Sequence, residues 1–417
     1  MEKLMVSNFA GMDELEIQLN KINLFIGPQA TGKSVTIKLI YFFNSFFNIV
    51  EQNIITKHKT AKNLKEVILD NYKETFLSYF PFHAWGDKDF EIRYSNKSKD
   101  FEIILSGKKR KLNLELSDKL EEIIYRSIQL FEELKENSDE EKQVYILFDF
   151  FNKYKNLLSH YAFENYHNVF IPAGRSFFSN IKSNIFSLLS QDVNLDPFIK
   201  DFGKIYEIQK NAEFIVPEKI STQQKKELDR LFRSILQGEY LFEKDEEYIV
   251  HNDGRKVNLV YASSGQQEIV PLLRILDSYY TRKNSGAHLY IEEPEAHLYP
   301  GSQYTIVKIL ARIFNSDNNF RFFITTHSPY ILASFNNLMY AGILKEKIRN
   351  TEELIQIIPE EEMIKPDIVK AYSLEYKGNA TDIINPGNKL IDQNVLDDVS
   401  NTIAEEFDQL LNLEFES

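Results

Sequence analysis

Gly27-Pro-Gln-Ala-Thr-Gly-Lys-Ser34 follows a nearly continuous apolar run, Ile22-Asn-Leu-Phe-Ile26, and opens a segment with helical spacing. A strand, a G-x-x-x-x-G-K-S loop and a helix in that order form a cradle for a phosphate chain. Glycines at 27 and 32 let the backbone curl until successive N–H groups face one anion, and the helix N-terminus adds a favourable partial charge. Lys33 would reach the β- and γ-phosphates, and the Ser34 hydroxyl would bind Mg2+. ATP and Mg2+ are therefore the expected ligands. Gly27, Pro28, Gln29, Ala30, Thr31, Gly32, Lys33, Ser34 and Val35 are the residues expected to contact them.

Upstream of this loop, Leu4-Met-Val and Leu15–Leu19 alternate as strands do. Downstream, Lys33 to Asn48 predicts one helix whose inner face carries Phe42, Phe43, Phe46 and Phe47, a cluster read as packing. A further helix is expected over roughly residues 60–80, then strands at Phe90–Tyr94, Phe101–Leu105 and Leu112–Leu116. Ser117 to about Tyr161 reads as charged helix, with Glu133–Gln143 marking a helix-to-helix turn. Val169-Phe-Ile is a strand running into Pro172-Ala-Gly-Arg-Ser, with more helix to about Ile235. Glu247–Val250 and Lys256–Val260 predict a hairpin around Asn252-Asp-Gly. Then strand and helix alternate: Leu289–Ile291, a helix from about Ser302, Phe322–Ile324, and a helix after Pro329. That alternation argues for an α/β fold with a mostly parallel sheet, flanking helices and a mixed N-terminal β-layer. The expected organisation is an N-terminal lobe over 1–116, a helical insertion over 117–165 and a C-terminal lobe over 166–417.

Composition narrows the classes. The net charge is −13, so a broad nucleic-acid footprint is not what charge indicates; nucleic acid stays open only through local patches. The basic run Lys108-Lys109-Arg110-Lys111 reads as a solvated turn between two strands, with nucleic-acid contact as the other reading. There is no cysteine, which removes disulfides, Cys-ligated zinc and iron–sulfur clusters and fits a cytoplasmic location. No secretory signal follows Met1, and the apolar stretch Leu39–Val50 is too short to span a bilayer, so a soluble protein is expected.

Three further motifs bear on chemistry. Leu289-Tyr-Ile-Glu-Glu-Pro-Glu295 delivers carboxylates to the C-terminal end of a strand, where ligands of parallel sheets bind. Glu292 is placed to ligate Mg2+, and Glu293 to orient and deprotonate a water. An acidic strand end is also an ordinary solvated turn; the phosphate loop gives the functional reading its weight. Ala262-Ser-Ser-Gly-Gln266 opens a helix and reads equally as a phosphate-binding turn or a helix cap, with Ser263, Ser264, Gly265 and Gln266 the residues concerned. Phe322-Phe-Ile-Thr-Thr-His-Ser-Pro329 ends a buried strand in a polar cluster containing His327, a structural or a functional histidine.

Together the four motifs resemble the head of an ABC-type ATPase, in the order Walker A, signature, Walker B, D-loop-like segment and switch histidine. More closely, the N-terminal strand pair, Ile-Glu-Glu-Pro-Glu-Ala-His-Leu-Tyr-Pro300 and Thr-Thr-His-Ser-Pro329 resemble the OLD-type and anti-phage "AAA family ATPase" group. That group includes the ATPase subunits of the PARIS, Gabija and Septu defence systems. The similarity covers roughly residues 1–50 and 165–335, and Arg175 of the Pro172–Arg175 segment is expected near the site. The resemblance implies an ABC-ATPase-like P-loop head in which two copies sandwich two nucleotides. Lys33 of one copy then faces Ser263, Ser264 and Gly265 of the other, with Glu293 as catalytic base and His327 as γ-phosphate sensor. It also implies a homodimer or higher homo-oligomer that controls a separate effector protein. Gln29 and Ala30 depart from the usual Asn and Gly, Glu292 from the usual Walker B aspartate, and Ser264 from the usual transporter Gly. No Q-loop glutamine is assigned.

Other functions fit less well. An OLD-type nuclease needs a Toprim centre, and Asp397-Asp398 sits in a stretch expected to be an amphipathic helix, so intrinsic nuclease activity is not expected. The interval from Lys33 to Ser263 exceeds that of a transporter head. An SMC-like DNA-repair ATPase needs long heptad arms, and Ser117–Tyr161 supplies at most a short hairpin, which could serve as a docking surface for a partner or as a DNA contact.

Overall fold

The computed structural model describes residues 2–57, 63–136, 143–161, 163, 166–179, 195–210, 221–281, 286–392 and 406. The chain begins with β1 (Glu2–Phe9), β2 (Met12–Leu19) and β3 (Ile22–Ile26), followed by α1 (Lys33–Asn44), α2 (Phe46–Lys57) and α3 (Leu64–Tyr79). Next come β4 (Phe90–Asn96), β5 (Phe101–Lys108), β6 (Lys111–Leu116), α4 (Asp118–Glu136), α5 (Gln143–His160) and β7 (His167–Ile171). A short α6 (Ser176–Ser179), α7 (Pro197–Lys210) and α8 (Thr222–Leu236) lead to β8 (Gly238–Glu243), β9 (Glu246–His251) and β10 (Lys256–Asn258). The remainder is α9 (Ser264–Thr281), β11 (Ala287–Glu292), α10 (Pro300–Ser316), β12 (Arg321–Thr326), α11 (Pro329–Lys347), α12 (Glu352–Ile357), β13 (Val369–Leu374) and β14 (Ala380–Asp382).

The central sheet has six strands in the order β14-β13-β3-β12-β11-β7, parallel throughout except for β14. Its inner strands β3, β12 and β11 are buried on both faces, so alternate residues serve two cores. Leu24, Ile171, Leu289, Ile291, Phe322 and Ile324 pack with α9, α10 and α11. Phe25, Phe170, Tyr290, Phe323 and Tyr372 pack on the other face with α1 to α4 and the antiparallel layer β2-β1-β4-β5-β6. Leu120, Ile123, Phe131, Phe150 and Tyr154 of α4 and α5 share that second core. The expected α/β class, with an N-terminal β-layer beside a mostly parallel sheet, is the architecture observed; the layer expected to be mixed is antiparallel at every pairing.

Three expectations need correction. The single helix expected over Lys33–Asn48 is two helices that meet at Ser45, whose N–H is shared between the carbonyls of Tyr41 (3.0 Å) and Phe42 (3.2 Å) while its hydroxyl adds a second bond to Tyr41 O (2.8 Å), a back-bonding that bends helices. Helix α4 runs to Glu136 through residues expected to turn. Strands β8, β13 and β14 were not expected. β13 matters most, because it lies against β3 and places the Leu374 carbonyl 2.1 Å from where a Cβ on Gly27 would stand. Gly27 also has φ 147°, so both contact and conformation require glycine there. The stretch holding Asp397-Asp398 lies outside the described residues.

Candidate nucleotide-binding site

Because β3, β12 and β11 run parallel and adjacent, the phosphate loop, Thr326–Pro329 and Glu292–Glu295 emerge side by side at one sheet edge. In the loop, Pro28, Gln29, Ala30 and Ser34 are exposed, whereas Thr31 and Lys33 are buried. Ala30 sits at φ 61°, a left-handed conformation that disfavours a side chain. Val35 lies in the first turn of α1, where backbone N–H groups lack intrahelical acceptors. The Lys33 ammonium donates to the carbonyls of Gly27 (2.7 Å) and Pro28 (2.5 Å). Burial lowers its pKa, opposed by the charges of Glu293 and Glu295.

Glu292 ends β11 with its carboxylate buried and accepting from the Ala173 N–H (3.2 Å). Glu293 has φ 44°, a strained conformation pinned on three sides. Its N–H donates to Thr325 O (3.0 Å), and its carbonyl accepts from Ala296 N (3.0 Å) and from Arg175 Nη2 (3.0 Å). Its carboxylate Oε1 lies 3.3 Å from Nε2 of His327, both side chains about one-third exposed. Glu295 is buried, accepting from the Thr326 hydroxyl (2.7 Å) and the His327 N–H (2.8 Å); burial raises its pKa. Its Oε2 and the Thr325 hydroxyl are buried with no partner.

The serine turn forms the helix cap, one of the two readings for it. Ser263 Oγ accepts from Gln266 N (3.3 Å) while Gln266 Oε1 accepts from Ser263 N (3.2 Å), a capping box at the start of α9. Gly265 approaches the D-loop-like segment, since a Cβ there would stand 2.8 Å from the His297 carbonyl. The turn's other contacts run to Leu236 and Val260 through Gln266 and Gln267. Exposed tyrosines stand beside these motifs: Tyr261 at 83%, Tyr299 at 81% and Tyr376 at 78%.

A family model described as AAA ATPase domain matches residues 1–332. The chain belongs to that family. No curated protein matches it. Among solved structures, similarity is found to the SMC head domain from Thermotoga maritima, at 12% identity and TM-score 0.37, covering 91% of this chain and 97% of that one. The recombination mediator protein RecF-ATPrS of the RecFOR pathway is similar at 11% identity and TM-score 0.31, with coverages of 91% and 97%. An Smc head with an extended coiled coil bound to the C-terminal domain of ScpA, from Pyrococcus furiosus, is similar at 11% and TM-score 0.35, with coverages of 92% and 96%. The family match makes this chain a P-loop ATPase, and its fold is α/β.

The structure adds a pair that motif reading did not assemble. Arg175 and Glu268 are both fully buried, and Arg175 Nη2 lies 3.3 Å from Glu268 Oε1. The guanidinium also donates to the carbonyls of Glu268 (Nε, 3.0 Å), Pro172 (Nη1, 2.9 Å) and Glu292 (Nη1, 2.7 Å). The Glu268 carboxylate accepts from Arg175 N and Ser176 N, each at 2.8 Å. One side chain therefore ties the serine-turn helix to the backbone of both strand-end glutamates. Pro271 within α9 frees the Gln267 carbonyl, which Ser179 Oγ takes up (3.0 Å). A carboxylate leading the apolar run Ile269-Val-Pro-Leu-Leu was the available signal for Glu268.

The residues at hand fit Mg2+ held with a nucleotide. No cluster of three or more His, Asp or Glu exists among the described residues to make a self-sufficient metal site. Ser34, exposed in the loop, and Glu292, whose carboxylate stands at the end of β11, supply oxygen donors, the ligand type Mg2+ takes. No described helix is long and apolar enough to cross a membrane.

Proposed function

We propose that this AAA ATPase is a nucleotide-driven switch. Two copies enclose ATP between Gly27–Val35 of one and Ser263–Gln266 of the other, and the assembly controls a separate effector. The observation that carries this reading is the Glu293–His327 pair at 3.3 Å beside a phosphate loop, with both side chains partly open to the same edge. Glu293 is the base that takes a proton from the attacking water. His327 orients that carboxylate and donates to charge developing on the transferred phosphate. Ser34 and Glu292 would hold Mg2+, which supplies charge neutralisation across the phosphates when bound. The exposed tyrosines support a second copy as the occupant of this edge, since interface cores favour such residues. The resemblance of the glutamate and histidine motifs to the OLD-type group supports placing the switch in anti-phage defence.

The test pairs Glu293→Gln with Lys33→Ala. Glu293→Gln should bind ATP, lose turnover by at least about a hundredfold and accumulate as a dimer in light scattering. Lys33→Ala should neither bind nor dimerise. Normal hydrolysis by Lys33→Ala, or an ATP-bound but monomeric Glu293→Gln, refutes the assignment.

A further inference from the structure

The starts of the parallel strands gather at the end of the sheet opposite the phosphate loop, and a cavity of about 560 Å3 opens there between the central sheet and the antiparallel layer. Its size lies in the range that holds small molecules. His288, at the second position of β11, lines it while only 7% exposed, and neither ring nitrogen has a hydrogen-bond partner. Burial, reinforced by the Arg321 and Lys99 charges, pushes the His288 pKa well down, so the ring is neutral and offers one donor and one acceptor. An unpartnered polar group this deep is costly unless something satisfies it.

The remaining lining defines what would. Lys21, Lys99 and Arg321 face the cavity, and Glu2 is the one carboxylate among the described lining residues. Glu2 is already paired with Arg321 (2.9 Å) and accepts the Tyr94 hydroxyl. The Lys99 ammonium stands over the Phe163 ring at 5.3 Å, leaving a net positive field. Flat surfaces line the rest: Phe47 and Phe101 adjoin Phe163, and Tyr166 lies 4.9 Å from the His288 ring. Asn96 and Asn319 add amides able to read a heterocycle's edge.

We propose that this cavity is a second ligand site that takes a planar heterocycle carrying an anionic group, of the mononucleotide class, with Lys99 on the anion and His288 on a polar edge. Free mononucleotides and the 5′-phosphorylated end of a short oligonucleotide share this chemistry. The site is separate from the phosphate loop and does not rest on the switch reading.

Calorimetry on the full chain, with the phosphate loop filled by a non-hydrolysable ATP analogue and Mg2+, tests it with AMP, GMP, CMP, UMP and a 5′-phosphorylated dinucleotide. One-to-one binding of a mononucleotide, or of the dinucleotide alone, supports the site and tells the two sources apart. Lys99→Glu and His288→Phe should each weaken that binding about tenfold or more and leave ATP affinity at the phosphate loop unchanged. Lys99 is half-buried at a turn, so its variant keeps the test open should His288→Phe fail to fold. No binding at millimolar concentrations overturns the proposal. So does binding that both variants leave intact, or binding lost in Lys33→Ala.

Discussion

Arg175→Met exchanges a buried guanidinium for an apolar chain of similar length, and the contacts it removes can be named. The ion pair with Glu268 goes, as do the donors to the carbonyls of Pro172, Glu268, Glu292 and Glu293. The Glu268 carboxylate keeps two backbone N–H donors but loses its countercharge within a fully buried site. Breaking one side of a buried pair costs about 3–5 kcal/mol, and the orphaned carbonyls act in the same direction. A loss of about 3–5 kcal/mol is therefore expected in urea unfolding followed by circular dichroism. Glu268→Gln keeps the acceptor and removes the charge, so it should cost less. The double variant should then show a coupling of about 0.5–3 kcal/mol. Turnover supplies the second reading. Glu293 is held at φ 44° partly by Arg175, and a displacement of about 1 Å at a catalytic group can cost roughly a hundredfold in rate. ATP binding to the phosphate loop should persist, so kcat should fall more than affinity. An Arg175→Met protein within about 0.5 kcal/mol of the parent, or strictly additive variants, would refute the idea that this pair braces the strand-end glutamates.

Two further outcomes follow from local geometry. Ala30→Gly should raise stability, by up to about 1.5 kcal/mol in thermal unfolding: a left-handed residue costs about 1–2 kcal/mol, less about 0.5–1 kcal/mol for glycine's greater unfolded entropy. Glu295 has its pKa raised by burial, against the opposing bonds from Thr326 and His327, so the folded state holds its proton to higher pH than the unfolded chain. Its contribution to stability therefore falls as pH rises from about 4, the ordinary carboxylate pKa, through the raised value, and stays low above it. Denaturation midpoints of Glu295→Gln should lack that component of the slope; an identical pH profile would contradict it.

What the sequence disclosed and what it hid divide along chain separation. Gly27–Ser34, Glu292–Glu295 and Thr325–Pro329 each carry their chemistry within a few consecutive residues at a strand end, so strand patterning placed all three at one edge. The run Lys108–Lys111 was legible for the same reason: Lys109 and Arg110, at φ 46° and 60°, make the turn of the β5–β6 hairpin. Arg175 and Glu268 lie 93 residues apart and meet only because α9 packs under the loop after β7. The bend at Ser45 has no proline or glycine to announce it; it lies where the Ser45 N–H and hydroxyl crowd onto the carbonyls of Tyr41 and Phe42. β13 follows irregular chain, and its pairing with β3 is a long-range event that no local pattern encodes.

The resting contacts also bear on how ATP and a second copy would depend on each other. Lys33 is satisfied by the loop's own carbonyls, so an incoming phosphate must displace Gly27 O and Pro28 O before it gains the ammonium. The serine turn is satisfied by its own capping box, and its contacts run to Leu236, Val260 and His297, not to the phosphate loop. Each half of the proposed composite site is therefore stable alone and unfinished toward a γ-phosphate. ATP held by one copy presents an anion that the other copy's helix N-terminus can accept, and dimerisation supplies donors that a single copy lacks. Because linkage is reciprocal, whatever factor ATP adds to dimer affinity, dimerisation adds to ATP affinity. Apparent ATP affinity of Glu293→Gln should then rise with protein concentration across the dimerisation range, in fluorescence titrations with a labelled nucleotide. A concentration-independent affinity would mean that the phosphate loop completes its site within one chain.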